Sequence, residues 1–209
     1  MSSYPSNVNH MGDPIKILAT VDLYVQAQKS LDAIRLVELG ARTTLVRKLT
    51  GLEKKVVKRL YRQLLGRPSS AGQMPFSDAW YLKDPCRMLH ASLVWRLYES
   101  ASKSGRTPAR VMIDVYTSYL NLVNNPLLCI TRAFFVSHLM AMDVWYERIC
   151  IHCGVPYLTH IANIEAICPG CTLYYRHRCR QCGTAMDVSI QGRYRKSCDA
   201  CKQLQNQQK

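Results

Sequence analysis

The residues of this chain that are best suited to chemistry are its cysteines. Eight of the ten cysteines fall into four C-x-x-C pairs in the last third of the sequence, which form two successive quartets. The first quartet is Cys150, Cys153, Cys168 and Cys171, and the second is Cys179, Cys182, Cys198 and Cys201. Two thiolates separated by two residues can turn onto one ion, and two such pairs complete the tetrahedral sulfur shell of a structural zinc site. The spacing therefore predicts bound Zn²⁺ at both quartets.

Three other interpretations of these cysteines are a disulfide framework, a redox pair and an iron–sulfur cluster. A disulfide framework needs an oxidising compartment. The N-terminus, MSSYPSNVNHMGDPIK, lacks a basic start followed by an apolar core, so no secretory signal is visible and a cytoplasmic location is expected. A redox pair needs only one C-x-x-C near a βαβ unit. An iron–sulfur cluster can also use four cysteines.

Charge points to a polyanionic partner. The chain carries 28 Lys and Arg against 14 Asp and Glu, a formal net charge of +14. Such an excess favours nucleic acid first, an acidic protein second and a membrane surface third. The longest apolar stretch, 127–145, is interrupted by Arg132 and Asp143, so it predicts a buried helix rather than a membrane span.

The basic residues gather in two zones, which suggests two contact points on one long ligand. The first zone, 41–67, is opposed only by Glu53, and the second begins at Thr172. In the second zone tyrosines lie between the cations, a composition that suits phosphate pairing together with stacking on sugars or bases. The predicted DNA-contacting residues are Arg47, Lys48, Lys54, Lys55, Lys58, Arg59 and Arg62 in the first zone, and Arg176, Arg178, Arg180, Arg193, Arg195 and Lys196 in the second.

The periodicity before the cysteines is helical, so the predicted fold class is mainly α, with a C-terminal cysteine-rich zinc-ribbon region. We expect a disordered N-terminus over 1–14 and a helical domain over 15–148. Its last helix is predicted over 127–148. In its first helix, one apolar face is predicted to consist of Leu23, Ala27, Leu31, Ile34 and Val37.

The pattern changes near Arg148, where helical periodicity gives way to recurring Gly, Pro and Cys. We expect a zinc-binding region over 149–209, with ribbons at 150–171 and 179–201. Short runs at 157–161 and 186–190 suit strands of such ribbons.

The segment 42–67 has the pattern of a helix-turn-helix. A short apolar helix reaches Gly51, and a second helix is predicted to turn Val56, Val57, Leu60 and Leu64 inward and its basic residues outward. Arg47 departs from this pattern, because it occupies a position that normally carries a small residue packed between the helices. The alternative is an amphipathic basic helix that packs on its neighbours and binds no DNA.

Nothing in the sequence favours an enzyme. There is no glycine-rich phosphate loop, no nucleophile elbow and no paired-carboxylate motif, and complete cysteine quartets leave no open coordination position on a metal. No catalytic residue is therefore predicted. The alternative to a DNA-binding protein is a zinc-stabilised adaptor whose positive charge meets an acidic partner.

Five segments make the chain similar to the FlhC family, which supplies a subunit of the bacterial flagellar master transcriptional regulator. They are LVELGARTTLV (36–46), VVKRLYRQLLGRPSSAGQMPFSDAWY (56–81), LHASLVW (89–95), ITRAFF (130–135) and CIHCGVPYLTHIANIEAICPGC (150–171). The resemblance implies a mostly helical fold, a zinc site at Cys150, Cys153, Cys168 and Cys171, and pairing with FlhD in a heterohexamer of four D and two C subunits. It also implies binding to double-stranded DNA upstream of flagellar operons and activation of RNA polymerase.

One feature departs from that family. Its members carry only the first quartet, whereas this chain adds Cys179, Cys182, Cys198 and Cys201 within a basic extension. Each quartet could therefore bind its own zinc ion, in sequential order along the chain, or the two quartets could interleave as a cross-brace.

Overall fold

The computed structural model describes residues 14–70, 72–186 and 196–207. The disordered N-terminus predicted over 1–14 lies outside these ranges except for its last residue, and so does most of the strand predicted over 186–190. The described chain is mainly helical, which confirms the predicted fold class. None of the described helices is long and apolar enough to cross a membrane. The chain divides into two compact units, 1–71 and 72–209.

The first unit contains α1 (Pro14–Glu38), α2 (Thr43–Thr50) and α3 (Lys54–Leu65). The predicted break near Gly51 is confirmed, because α2 ends there and the N–H of Gly51 donates to the carbonyl of Arg47 at 2.9 Å. One small core joins the three helices, and removing its apolar surface from water is what stabilises them together. Its fully buried members are Ala33, Leu36, Val37, Leu45, Val46 and Val57.

Two predicted faces in this unit are wrong in part. On α1, Leu23 is 71% exposed and Leu31 is 59% exposed, whereas the buried side chains are further along the helix. On α3, Val56 and Leu64 are exposed, and the inward positions are Val57 and Tyr61. Periodicity could not select between adjacent stripes of α3, because apolar residues occupy both and only the position of α1 and α2 decides which is covered.

The second unit begins with four helices: α4 (Ala79–Leu82), α5 (Pro85–Ser102), α6 (Pro108–Leu122) and α7 (Ile130–Ala141). An antiparallel hairpin of β1 (Trp145–Ile149) and β2 (Pro156–His160) follows, with Glu147 opposite Leu158. Then come α8 (Pro169–Tyr174), a 3₁₀ turn (Tyr175–His177) and α9 (Asp199–Gln207). The predicted division into domains 15–148 and 149–209 remains a prediction, and its boundary falls at the end of β1.

The helix predicted over 127–148 is shorter than expected. It ends at Ala141, and Asp143 adopts a positive φ of 56°, a left-handed conformation that Asp tolerates better than most residues. The N–H of Val144 turns back to the carbonyl of Leu139 at 3.1 Å, which closes the helix end. The chain then leaves as strand β1, so Trp145 is a buried strand residue and not a helical one.

Buried polar contacts hold α5, α6 and the chain after α6 in register. The hydroxyl of Tyr119 accepts the backbone N–H groups of Leu127 and Leu128 at 3.0 and 3.2 Å, and lies 2.7 Å from Nδ1 of His90. Since both acceptor positions of the hydroxyl are used, its proton points to Nδ1, which requires a neutral His90. Burial correspondingly lowers the pKa of His90.

The hairpin docks on α5 through one buried serine. Ser92 donates to the carbonyl of Met88 at 2.9 Å, and its oxygen accepts the N–H of Leu158 at 3.0 Å. Leu158 is itself buried, so the strand meets the helix through both apolar packing and a hydrogen bond. The segment that carries the first cysteine quartet is thereby fixed to the helical layer of its unit.

Candidate metal centres and basic surfaces

The first cysteine quartet closes around one point. Cys150 directly follows β1, and Cys168 is the N-cap of α8, whose first turn carries Cys171. The four sulfur atoms all lie within 4.8 Å of one another, with 3.6 Å between those of Cys153 and Cys168. Two of its cysteines, Cys150 and Cys168, are only 2% and 6% exposed, whereas Cys171 is partly exposed and Cys153 is exposed.

The second quartet closes in the same way and independently of the first. Its four sulfur atoms also lie within 4.8 Å of one another, with 3.6 Å between those of Cys182 and Cys198. The structure therefore brings each quartet together by itself, which favours sequential binding over the interleaved arrangement. This cluster is more open, since Cys182 is exposed and Cys198 and Cys201 are partly exposed.

The two ribbons share one hydrogen-bond scaffold. The N–H of Gly154 donates to the carbonyl of Cys150 at 2.9 Å, and Gly183 does the same to Cys179 at 2.9 Å. Both glycines adopt a positive φ, 69° and 73°, which turns the second cysteine of each pair back toward the first. The later C-x-x-C pair of each quartet lies at the start of a helix. There the backbone N–H of Thr172 donates to the carbonyl of Cys168, and the backbone N–H of Lys202 donates equivalently to the carbonyl of Cys198.

The sulfur geometry fits a single tetrahedral ion. Zinc–sulfur bonds of about 2.3 Å place tetrahedral sulfur atoms about 3.8 Å apart, close to the 3.6 Å seen in both clusters. A disulfide needs a sulfur–sulfur bond of about 2.05 Å, and all ten cysteines are free. The clusters thus could each hold one metal ion, as the sequence predicts.

Local hydrogen bonds lower the pKa of one thiol in the first quartet, Cys150, and of two in the second, Cys179 and Cys182, where Thr184 is the main partner of Cys182. Burial raises the pKa of Cys150, but the N–H groups of Cys168, Cys153 and His152 outweigh it and bring the value to about 6. The N–H groups of Cys182 and Cys198 lower the pKa of Cys179 to about 6. Burial and neighbouring sulfurs raise the pKa of Cys171, and Cys198 and Cys182 raise that of Cys201 to about 12. Four thiolates in such a space need a cation among them.

The first basic zone forms an exposed surface of the first unit. Every predicted contact residue on α3 is exposed, and their spacing places them on one face of the helix. These residues are Lys54, Lys55, Lys58, Arg59 and Arg62. Arg47 and Lys48 of α2 are exposed too, so Arg47 does not pack between the helices and does not disturb their core. We call the seven cations the α2–α3 basic surface.

The second basic zone is described only in part. Arg176, Arg178 and Lys196 are exposed and Arg180 is half-buried, whereas Arg193 and Arg195 lie outside the described residues. Arg178 has a role within the ribbon, because it donates to the carbonyl of Gly183 at 3.2 Å and lies 5.1 Å from the ring centre of Tyr174. Its guanidinium is therefore held by the ribbon itself.

Sequence reasoning missed two features around these sites. It did not identify Ser92, because a serine in a helix gives no signal of the strand that it binds. It also did not identify the shared scaffold of the ribbons, although the glycine that follows the second cysteine in both CIHCG and CRQCG was a visible signal.

The fold and the two four-cysteine clusters define a helical, strongly basic protein with a metal-binding C-terminal region. The family model of the flagellar transcriptional activator FlhC matches residues 19–184. This chain belongs to the FlhC family, as the sequence segments predicted. The flagellar transcriptional regulator FlhC of Xenorhabdus nematophila is 30% identical over 144 residues, which cover 65% of this chain and 74% of that protein. The FlhC proteins of Yersinia enterocolitica and Serratia marcescens are 30% and 29% identical, each over 143 residues, 65% of this chain, and cover 74% and 73% of those proteins.

Proposed function

We propose that this chain is the DNA-binding subunit of a heteromeric transcriptional activator of flagellar operons and that structural zinc holds its C-terminal region. Membership of the FlhC family is the observation that carries this proposal. The family consists of transcriptional regulators, and the net charge of +14 suits a chain that works on DNA.

Both metal centres are assigned to Zn²⁺. Four sulfur ligands around one point are the closed set typical of structural zinc, and sulfur atoms within 4.8 Å of one another leave room for a single ion. Zinc supplies folding free energy there, because the small ribbons have little apolar core of their own. The ribbons bring the cysteines together through their glycine turns and helix N-termini, and neither centre leaves a position for a reacting water.

The α2–α3 basic surface is proposed to contact the DNA backbone. Its seven exposed cations can pair with phosphates, while Val57 and Tyr61 hold α3 to the rest of its unit. Phosphate contacts of this kind set affinity and orientation without reading sequence. The basic residues of the second zone, including Arg193 and Arg195, are proposed as a second backbone contact.

The protein partner is proposed to be an FlhD-type subunit, in a heterohexamer of four D and two C subunits that acts on RNA polymerase in the cytoplasm. Support within this chain comes from α1, where Leu23, Tyr24 and Leu31 are more than half exposed. A row of large apolar side chains in water is a liability for a free monomer and is typical of a surface that a partner covers.

Duplex-DNA binding by the zinc-loaded full chain, measured as a function of salt, tests the proposal. A variant in which Lys58, Arg59 and Arg62 are replaced with Ala should bind less tightly, and its log–log salt slope should be shallower by about 2.7, or about 0.9 for each lost phosphate. The matched control replaces three exposed cations of the second unit that lie outside both basic zones, Lys83, Lys103 and Arg106, with Ala and should leave the slope within error. Absence of DNA binding by the zinc-loaded wild-type chain would favour the second candidate, an adaptor that binds an acidic protein.

A further inference from the structure

A cleft of about 350 Å³ in the second unit is lined by residues of α5, α8, the 3₁₀ turn and the second ribbon. Three cations line it: Arg176, Arg180 and Lys196. Tyr175 and Leu173 provide an apolar wall. Among the described residues, none of those that line the cleft is acidic. The carboxylate nearest in sequence, Asp84, is engaged outside the lining, where it accepts the N–H of Cys86 at 2.9 Å and pairs with Arg87 at 3.9 Å.

Both metal centres contribute to the position of these cations. Arg180 lies inside the Cys179/Cys182 pair, and Lys196 precedes Cys198 by two residues. The N–H of Arg180 donates to the carbonyl of Lys196 at 3.0 Å, which ties the two residues together as the second quartet closes. Arg176 comes from the 3₁₀ turn that directly follows α8, the helix that Cys168 of the first centre caps. The cleft is therefore complete only when both ribbons are folded.

Comparison of the two ribbons indicates that the fold does not require these charges. In the first ribbon the equivalent hydrogen bond joins the N–H of Ile151 to the carbonyl of Ala166, also at 3.0 Å. The same scaffold is thus built with an isoleucine and an alanine where the second ribbon has Arg180 and Lys196. Like charges that line one cleft repel one another, and an anion bound there would offset that repulsion.

We propose that this cleft is a binding site for backbone phosphate of duplex DNA and that zinc in the second centre assembles it. Arginine and lysine side chains around a concave site suit a phosphodiester, and the ring of Tyr175 can lie against the adjoining sugar. The inference rests on the proposed DNA-binding function and adds to it a defined phosphate site. It also assigns a role to the second quartet, which presents cations rather than only stabilising a ribbon.

The test uses a variant that copies the first ribbon: Arg180→Ile combined with Lys196→Ala. The scaffold already accepts this pair of residues, so the variant should keep its full zinc content and its thermal transition. The control, Lys103→Gln combined with Lys83→Gln, removes the same charge from exposed residues that lie outside both basic zones and do not line the cleft. A third variant, Cys182→Ser with Cys198→Ser, removes the second centre but keeps every cation. The probe is a labelled DNA duplex of unrelated sequence, titrated between about 50 and 200 mM salt.

The cleft variant should lose about 1.8 from its salt slope, or about 0.9 for each of two phosphate contacts, while the control keeps the wild-type slope. The cysteine variant should lose one zinc and show the same shallow slope as the cleft variant. If the cleft variant binds DNA like the wild type, the cleft is not a phosphate site. If the variant instead loses affinity only for the partner subunit, the ligand of the cleft is an acidic protein and the proposal is wrong. A cysteine variant with the wild-type slope would overturn the assembly by zinc. If even the wild type does not bind DNA, the broader function fails, which is a distinct result.

Discussion

The hydrogen bond between Ser92 and the hairpin gives the sharpest test of how the first metal centre is supported. Ser92 sits on α5, and its oxygen accepts the N–H of Leu158, which is buried on β2. The change Ser92→Ala removes the acceptor and leaves this N–H without a partner in an apolar contact. The carbonyl of Met88 also loses the hydroxyl of Ser92 as a donor. This loss should cost little stability, because Met88 lies four residues earlier in the same helix, where such serine-to-carbonyl bonds do not stabilise the helix.

The magnitude follows from the desolvation of one amide. A buried donor left unsatisfied costs about 1–3 kcal/mol. For a unit of this size, about 4 °C of Tm corresponds to each kcal/mol, so we expect a Tm lower by about 4 to 12 °C. Because β1 leads directly to Cys150, a loosened hairpin should also weaken zinc binding at the first centre and leave the second centre unaffected.

Calorimetry of the zinc-saturated protein measures the first effect, and competition with a colorimetric chelator measures the second. Metal concentration must be equal in all samples, because bound zinc itself raises Tm. The matched control is Ser137→Ala on α7, where a half-buried serine also donates to a carbonyl of its own helix, that of Phe134, at 2.8 Å. Equal Tm values for the two variants would refute the reasoning that Ser92 docks the strand.

Three further outcomes are expected. Elemental analysis should find two zinc ions per chain, and replacing Cys198 and Cys201 with Ser should leave one; a wild-type value of one would rule out the second site. The free energy of unfolding should fall as the pH drops below about 6.5, because the pKa of His90 is lowered in the folded state and the unfolded chain then binds more protons. His90→Gln should remove that part of the pH dependence in urea titrations, and identical pH profiles would contradict a neutral buried His90. Replacing Leu23 and Leu31 with Gln should weaken assembly with the partner subunit in analytical ultracentrifugation but not unfold the chain, since both are exposed; unchanged assembly would show that α1 is not the partner surface.

The local signals of the chain were sufficient for much of the fold. The break at Gly51 was predicted because glycine and helical periodicity act over a few residues. The metal clusters were predicted for the same reason, since two cysteines separated by two residues meet almost regardless of what surrounds them. The family resemblance, which the family model confirms, added the expectation of a transcriptional regulator.

What depends on contacts between distant segments could not be derived from the sequence. Periodicity did not distinguish Val56 from Val57 on α3, because only the packing of other helices decides which stripe is covered. It extended the last helix through Trp145, where the structure has a left-handed residue at Asp143 followed by strand β1. The partner strand β2 then binds α5, because the N–H of Leu158 donates to Ser92, 66 residues earlier in the chain. The pairing of the quartets was likewise open in the sequence, since the four C-x-x-C pairs are of the same type and could combine either in succession or interleaved. The tertiary structure closes each ribbon on itself through its own backbone hydrogen bonds, and only that closure places Arg180 beside Lys196.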